Sequence, residues 1–190
     1  GQKVYQITYG RSQTTEYGNL KRLIELYIKR NGIFASACKP YVNKIGKSPS
    51  LRSDVAFKKL LKQAANEDLI MRTTQDEFFD IYYYQPAFNW FAGQKFTMAL
   101  SLLVIYDSYI HSGGIPDFLR KKFAERTPFN GGNEQAWIKQ YVDVRHEWLK
   151  THSNTILQET IYRTNCFKNQ IKNNNWDLVK DINANGIIVK

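Results

Sequence analysis

Cysteine is scarce in this chain of 190 residues: Cys38 and Cys166 stand alone, with no CxxC pair. That spacing excludes a zinc cluster, and the count allows at most one disulfide. The three histidines, His111, His146 and His152, follow no metal-ligand spacing. No G-x-S-x-G elbow occurs, which argues against serine hydrolase chemistry, and no glycine-rich phosphate loop of P-loop or Rossmann type is present. The longest apolar run, around Met98 to Tyr106, is too short to span a bilayer. No internal repeat or low-complexity segment appears. No signal peptide stands at Gly1, as expected of a mature secreted or trimmed chain, and a secreted or periplasmic bacterial location is expected.

What is abundant is positive charge and aromatic surface. The formal net charge is +10, which attracts polyanions and disfavours a polycation unless the binding site itself is acidic. Aromatic residues make up 14%, supplying rings for a core or flat faces for sugars and bases. The basic residues are spread along the chain rather than striped, and no nucleic-acid recognition motif accompanies them, so nucleic acid is not the expected partner.

Periodicity points to a mainly α fold with a small β element at the N-terminus. Lys3 to Gln13 alternates and reads as a strand or hairpin with Gly10 at a bend. Asn19 to Lys29 carries apolar residues at helical spacing and stops at Gly32. A polar stretch from Lys39 to Arg52 follows, and Ser53 is expected to cap a helix whose apolar face is Val55, Phe57, Leu60, Leu61 and Ala64. Thr74 to Tyr84 reads as a helix closed or kinked by Pro86. Phe96 to Tyr109 is apolar nearly all round and predicts a buried central helix. Ile115 to Arg126 predicts a basic amphipathic helix, and Glu134 to Thr151 and Thr155 to Lys172 predict two more. Ile187 to Val189 predicts a short strand or extended tail.

Carboxylates are the remaining candidates for chemistry, and glycoside hydrolysis uses two. Glu16 lies beside the hairpin, Asp76, Glu77 and Asp80 share one helix, and Asp107 sits in the most apolar segment. Burying an unpaired carboxylate costs several kcal/mol, so Asp107 predicts a cationic partner, with Arg145 and Arg163 as candidates. A core salt bridge without a catalytic role would satisfy the same argument.

Four stretches, in order along the chain, carry a resemblance. Ile7-Thr8-Tyr9-Gly10-Arg11-Ser12-Gln13-Thr14-Thr15 resembles the hairpin of bacterial wall hydrolases. Gln75-Asp76 through Pro86-Ala87 resembles a Q-D-x-x-x-D-x-x-Y-x-x-P-A helix, and Tyr106-Asp107 through Gly113-Gly114 a Y-D-x-x-x-H-G segment. Gly131-Gly132-Asn133-Glu134, followed by Asp143-Val144-Arg145, is similar to G-G-D-E and L-D-A-R. Taken together and in this order, the four stretches resemble the family 46 chitosanases of the lysozyme-like superfamily. The resemblance implies a two-lobed, lysozyme-like helical fold over residues 1–190, acting as one catalytic domain with a substrate cleft. It implies inverting hydrolysis of β-1,4-linked amino-sugar polymers, chitosan above all, by a monomer that needs no cofactor and no metal.

By the same resemblance, Asp107, Arg145 and Arg163 form an ion network that supports the catalytic acid. Thr8 helps to hold the attacking water, and Asn19 meets the substrate. The hairpin residues Tyr9, Arg11, Gln13 and Thr14 are expected to line the same wall of the cleft, Arg11 and Gln13 pointing together by strand alternation, while packing of the hairpin onto a helix stays open as the role of Tyr9 and Arg11. Asn19 stands where the family has an Asp. The catalytic base would fall at Gln2 or Lys3, which are not acids, and the acid Glu ahead of Gly1. The expectation is therefore a preceding segment that bears them, with Glu16 as the candidate within this chain. Asp76 and Asp80 are expected to stabilise structure or to bind substrate amines. Two alternatives stay open: a peptidoglycan hydrolase of the same fold, favoured by the +10 charge and Asn19, and a wall- or carbohydrate-binding domain without catalysis.

Overall fold

A computed structural model describes residues 5–11 and 13–190. Gln2, Lys3 and Ser12, and with them the start of the predicted strand, lie outside the described residues. The fold is mainly α, as the periodicity predicts. The chain divides into two compact units, Gly1–Tyr82 and Tyr83–Lys190.

The first unit opens with a two-stranded antiparallel hairpin, β1 (Thr8–Tyr9) and β2 (Thr14–Thr15), with Thr8 opposite Thr15 and Tyr9 opposite Thr14. Gly10 turns it at a φ of +76°, and a Cβ there would stand 2.5 Å from Gln75 Oε1. Only glycine accommodates both the left-handed backbone and that approach.

Helix α1 (Leu20–Lys29) buries Leu20, Leu23, Ile24 and Tyr27, an i, i+3, i+4, i+7 stripe. The chain then passes under the Tyr27 ring at Gly32, where a Cβ would lie 1.9 Å from a ring carbon. A short helix α2 (Ala35–Cys38) and two 3₁₀ turns lead to α3 (Val55–Glu67). Asp54, not Ser53, caps α3, its side chain accepting from the Phe57 N–H at 2.8 Å. Phe57, Leu60, Leu61 and Ala64 are buried as predicted, but Val55 is 74% exposed because the first turn extends past the core.

Helix α4 (Leu69–Phe79) begins five residues before the predicted Thr74. Asp68, which caps it by accepting from Ile70 N–H, provides the start signal. Asp80–Tyr84 continue as a π-helical turn, and the division between the units falls within it. Pro86 does not close this helix. It lies in the first turn of α5 (Gln85–Gly93), where a missing N–H costs nothing.

In the second unit, α6 (Ala99–Ser112) starts three residues later than Phe96 and is half-buried rather than buried all round. The predicted basic helix over 115–126 shrinks to α7 (Asp117–Arg120). The Arg120 guanidinium donates instead to the Phe123 and Glu125 carbonyls at 2.9 and 2.8 Å, which holds the following chain in a non-helical path. Helix α8 (Glu134–Lys150) is capped by Asn133 and buries Trp137, Ile138, Tyr141, Val142, Arg145 and Leu149. The predicted single helix over 155–172 is interrupted: α9 (Thr155–Gln158), a 3₁₀ turn, then α10 (Tyr162–Lys172). The chain ends in a second hairpin, β3 (Ile182–Ala184) and β4 (Ile187–Val189).

Much of the aromatic content is core. Trp137 is fully buried, stacked on Tyr141 at 5.2 Å and met edge-on by Phe96 at 5.2 Å and Phe123 at 5.4 Å.

Candidate active site

The predicted hairpin residues divide into those that turn inward and those that remain accessible. Tyr9 is half-buried and donates its hydroxyl to the Leu61 carbonyl at 2.9 Å. Burial pushes that phenol above its ordinary pKa, so it stays protonated and keeps the bond. Thr14 is 2% exposed and donates to the Tyr9 carbonyl at 2.9 Å.

Glu16 is 1% exposed. Its carboxylate accepts from Leu51 N–H at 2.7 Å, Ser50 Oγ at 2.6 Å and Ile7 N–H at 3.4 Å. Those donors tie the hairpin to the 3₁₀ turn ahead of α3 and occupy both carboxylate oxygens. Sequence spacing placed Glu16 beside the hairpin. It could not show the burial, because the donors come from 34 and 35 residues downstream.

Thr8, Arg11 and Gln13 are exposed, and Asn19 is half-buried at the N-cap of α1. Arg11 and Gln13 lie in the hairpin turn, so strand alternation does not align them. The Arg11 N–H donates to Gln75 Oε1 at 2.8 Å, and its guanidinium pairs with Asp76 and lies 5.7 Å from the Phe79 ring. The Gln75-Asp76 pair thus anchors the hairpin turn on α4, a partnership the sequence did not reveal.

In the second unit, α6, α8 and α10 bring Asp107, Arg145 and Arg163 together. Asp107 Oδ2 lies 2.7 Å from Arg145 Nη2, and Oδ1 pairs with Arg163 Nη1. The Arg145 side chain is 1% exposed, yet among the described residues its Nε and Nη1 have no hydrogen-bond partner. A buried guanidinium with spare donors is costly and calls for further acceptors.

His111, one turn after Asp107 on α6, has its pKa pushed down to about 4, first by burial and then by Arg145 and Arg163, with Asp107 opposing. It is therefore neutral at pH 7. On the same helix Ser108 Oγ accepts from the Tyr141 hydroxyl and donates on to the Gly114 carbonyl at 2.7 Å. That relay fixes the turn after α6. The sequence marked the His only as part of a motif.

Cys38 is buried and Cys166 half-buried, and both are free thiols. Among the described residues no group of three His, Cys, Asp or Glu side chains could hold a metal ion, and no helix is long and apolar enough to cross a membrane.

A carboxylate gripped by two arginines on α-helices, in a chain with a glycine-turned N-terminal hairpin, defines the class. The family model for glycosyl hydrolase family 46 matches residues 8–182, and the chain belongs to that family. It is 28% identical over 182 residues to a chitosanase of Bacillus subtilis (strain 168), covering 87% of this chain and 65% of that protein. Among solved structures it resembles native chitosanase from Bacillus subtilis MY002, with a TM-score of 0.80 and 26% identity over 96% of this chain and 84% of that one. A Glu-to-Ala mutant of a chitosanase from the same source, complexed with 6 GlcN, matches with a TM-score of 0.80 and 27% identity over the same shares. The fold is also shared by a Gynuella sunshinyii chitosanase in complex with chitotetraose, at a TM-score of 0.79 and 23% identity over 97% of this chain and 83% of that one.

Proposed function

We propose that this protein hydrolyses chitosan, cleaving β-1,4-linked glucosamine polymer endo-wise with inversion at the anomeric carbon. Family membership and chitosanase relatives bound to glucosamine oligomers support this substrate over peptidoglycan. The observation that carries the reading is Arg145, buried against Asp107 with two nitrogens unmatched among the described residues. Such a group stabilises a carboxyl brought to it and can tune that carboxyl's proton affinity. Asp107, Arg145 and Arg163 are assigned this supporting role.

Inversion requires an acid and a base about 6.5–9.5 Å apart. Glu16 is assigned to neither, since both its oxygens already accept interior hydrogen bonds. Thr8, Arg11, Gln13 and Asn19 are assigned to substrate and water, being the accessible members of the hairpin and the α1 cap. Tyr9 and Thr14 are assigned to holding the hairpin. An extracellular or periplasmic location follows from a polymer substrate that cannot enter a cell.

The test measures reducing ends released from chitosan beside loss of turbidity from bacterial walls, with the product anomer read by NMR. Chitosan cleavage that yields the α-anomer first is expected. Wall lysis without chitosan cleavage would overturn the reading.

A further inference from the structure

We propose that the first unit carries a separate binding face for an anionic polysaccharide, running from the loop before α3 along that helix. Residues 44–62 contain Lys44, Lys47, Arg52, Lys58, Lys59 and Lys62 against one acid, Asp54. All six cations are exposed, and among the described residues none forms an ion pair. Asp54 is committed to capping α3.

Four of these six cations, Lys44, Lys47, Lys58 and Lys62, follow one path from the loop onto one side of α3. Lys44 and Lys47 line a cavity of about 490 Å³ that also reaches Leu51 and Asp54. From Asp54 the positions 58 and 62 follow at i+4 and i+8, one side of the helix, so Lys58 and Lys62 continue from the mouth of that cavity. At 1.5 Å per residue, the run from 54 to 62 covers about 12 Å. The opposite side of α3, Phe57, Leu60, Leu61 and Ala64, is the core.

Charge excludes chitosan as the occupant, because its amines are repelled by the same cations. The chemistry favours a polysaccharide with a carboxylate on its repeats over a nucleic acid. Five of the six groups are lysines, compact point charges on flexible stems, not the planar arginine forks that suit phosphate. Among the described residues of this face the rings are engaged: Tyr41 stacks on Phe57 at 4.5 Å with Lys44 5.5 Å from its ring, and the exposed Tyr5 faces Arg52 at 5.3 Å. Binding through charge alone lets such a polymer slide along these cations and hold the protein near a surface.

Fluorescence anisotropy with a labelled polygalacturonate oligomer tests this, in parallel with duplex DNA and vesicles of anionic phospholipid. Polygalacturonate should bind the intact protein at about 50 mM salt and weaken on the order of tenfold by about 200 mM, as release of about two counterions requires. The variant K58Q/K59Q/K62Q, and separately K44Q/K47Q, should each weaken binding several-fold with unfolding temperatures unchanged. Lys168→Gln, on a lysine already paired with Asp143 in the other unit, should bind like the parent. The proposal is overturned by no binding at low salt, by equal binding of parent and both glutamine variants, or by tighter binding to DNA or vesicles. Chitosan hydrolysis is a separate readout, so failure here leaves the proposed activity standing.

Discussion

The Arg145 guanidinium lies 2.7 Å from Asp107 Oδ2 in the interior of the second unit, with Arg163 on the other carboxylate oxygen. Two cations around one anion leave a net positive charge there. Burial makes that excess expensive unless another acceptor completes it. Breaking the pair should therefore be severe. Arg145→Met leaves Asp107 with only the part-exposed Arg163, and Asp107→Asn leaves two arginines uncompensated. Each should cost about 3–5 kcal/mol in urea unfolding. Arg163→Met should cost less, since its side chain is 25% exposed. A loss below about 1 kcal/mol for Arg145→Met would mean that solvent reaches the pair.

The hairpin offers a sharper separation of roles. Glu16→Gln keeps the shape but turns an amide N–H₂ toward donors that need an acceptor. It should lose about 1–3 kcal/mol of stability, with turnover per folded molecule nearly unchanged. Thr8→Ala should do the reverse, cutting kcat on glucosamine oligomers while the unfolding midpoint holds. If Glu16→Gln abolishes turnover in fully folded protein, Glu16 takes part in the chemistry after all.

Tyr27 and Asp68 make a second buried unit of polar structure. Tyr27 is fully buried and donates to Asp68, and its oxygen accepts from Phe34 N–H at 2.9 Å. Asp68 also accepts from Ile33 and Ile70 N–H, each at 2.8 Å. Burial alone would raise the Asp68 pKa, but the Tyr27 and backbone bonds outweigh it and hold it below the ordinary carboxylate value. Tyr27→Phe should thus cost about 1–3 kcal/mol near neutral pH, by leaving buried groups unmatched. The Asp68 contribution is present above the unfolded carboxylate pKa and is lost as pH falls through the lower folded value, so acid should narrow the gap between variant and parent.

His111 predicts a pH dependence of its own. Its pKa falls from 6.5 to about 4 in the folded chain. Between those values the unfolded chain binds a proton that the folded chain refuses, so stability declines as pH drops through that window. Thermal unfolding from pH 7 down to pH 4 should show the decline, and His111→Gln should flatten part of it. An NMR titration placing His111 near 6.5 would remove the basis.

Helix faces were legible wherever burial followed the 3.6-residue period: the stripe of α1, the core side of α3 and the Trp137–Tyr141 face of α8. Local pattern failed where a distant group decided the backbone. The helix predicted over 115–126 stops at Arg120 because its guanidinium finds carbonyls further on. Pro86 falls in the first turn of a helix that directly follows the π-helical turn, where its missing N–H has no intrahelical partner to lose. At the candidate site, the pairing of Asp107 with arginine followed from the cost of a charge in an apolar helix. The burial of Glu16 did not, since its donors lie far along the chain.

By itself, then, the sequence determined the helical class, the ordered motifs of the family, the surplus of positive charge and the need for Asp107 to be paired. These rest on periodicity, composition and the price of burying a charge, all readable over a few turns of chain. Only the tertiary structure decided which carboxylates remain available. Glu16 and Asp68 are absorbed by backbone N–H groups, Asp76 by Arg11, and Asp107 by two arginines on different helices. A carboxylate's role depends on the donors within about 3 Å of its oxygens, and those are set by packing between segments that the sequence keeps apart.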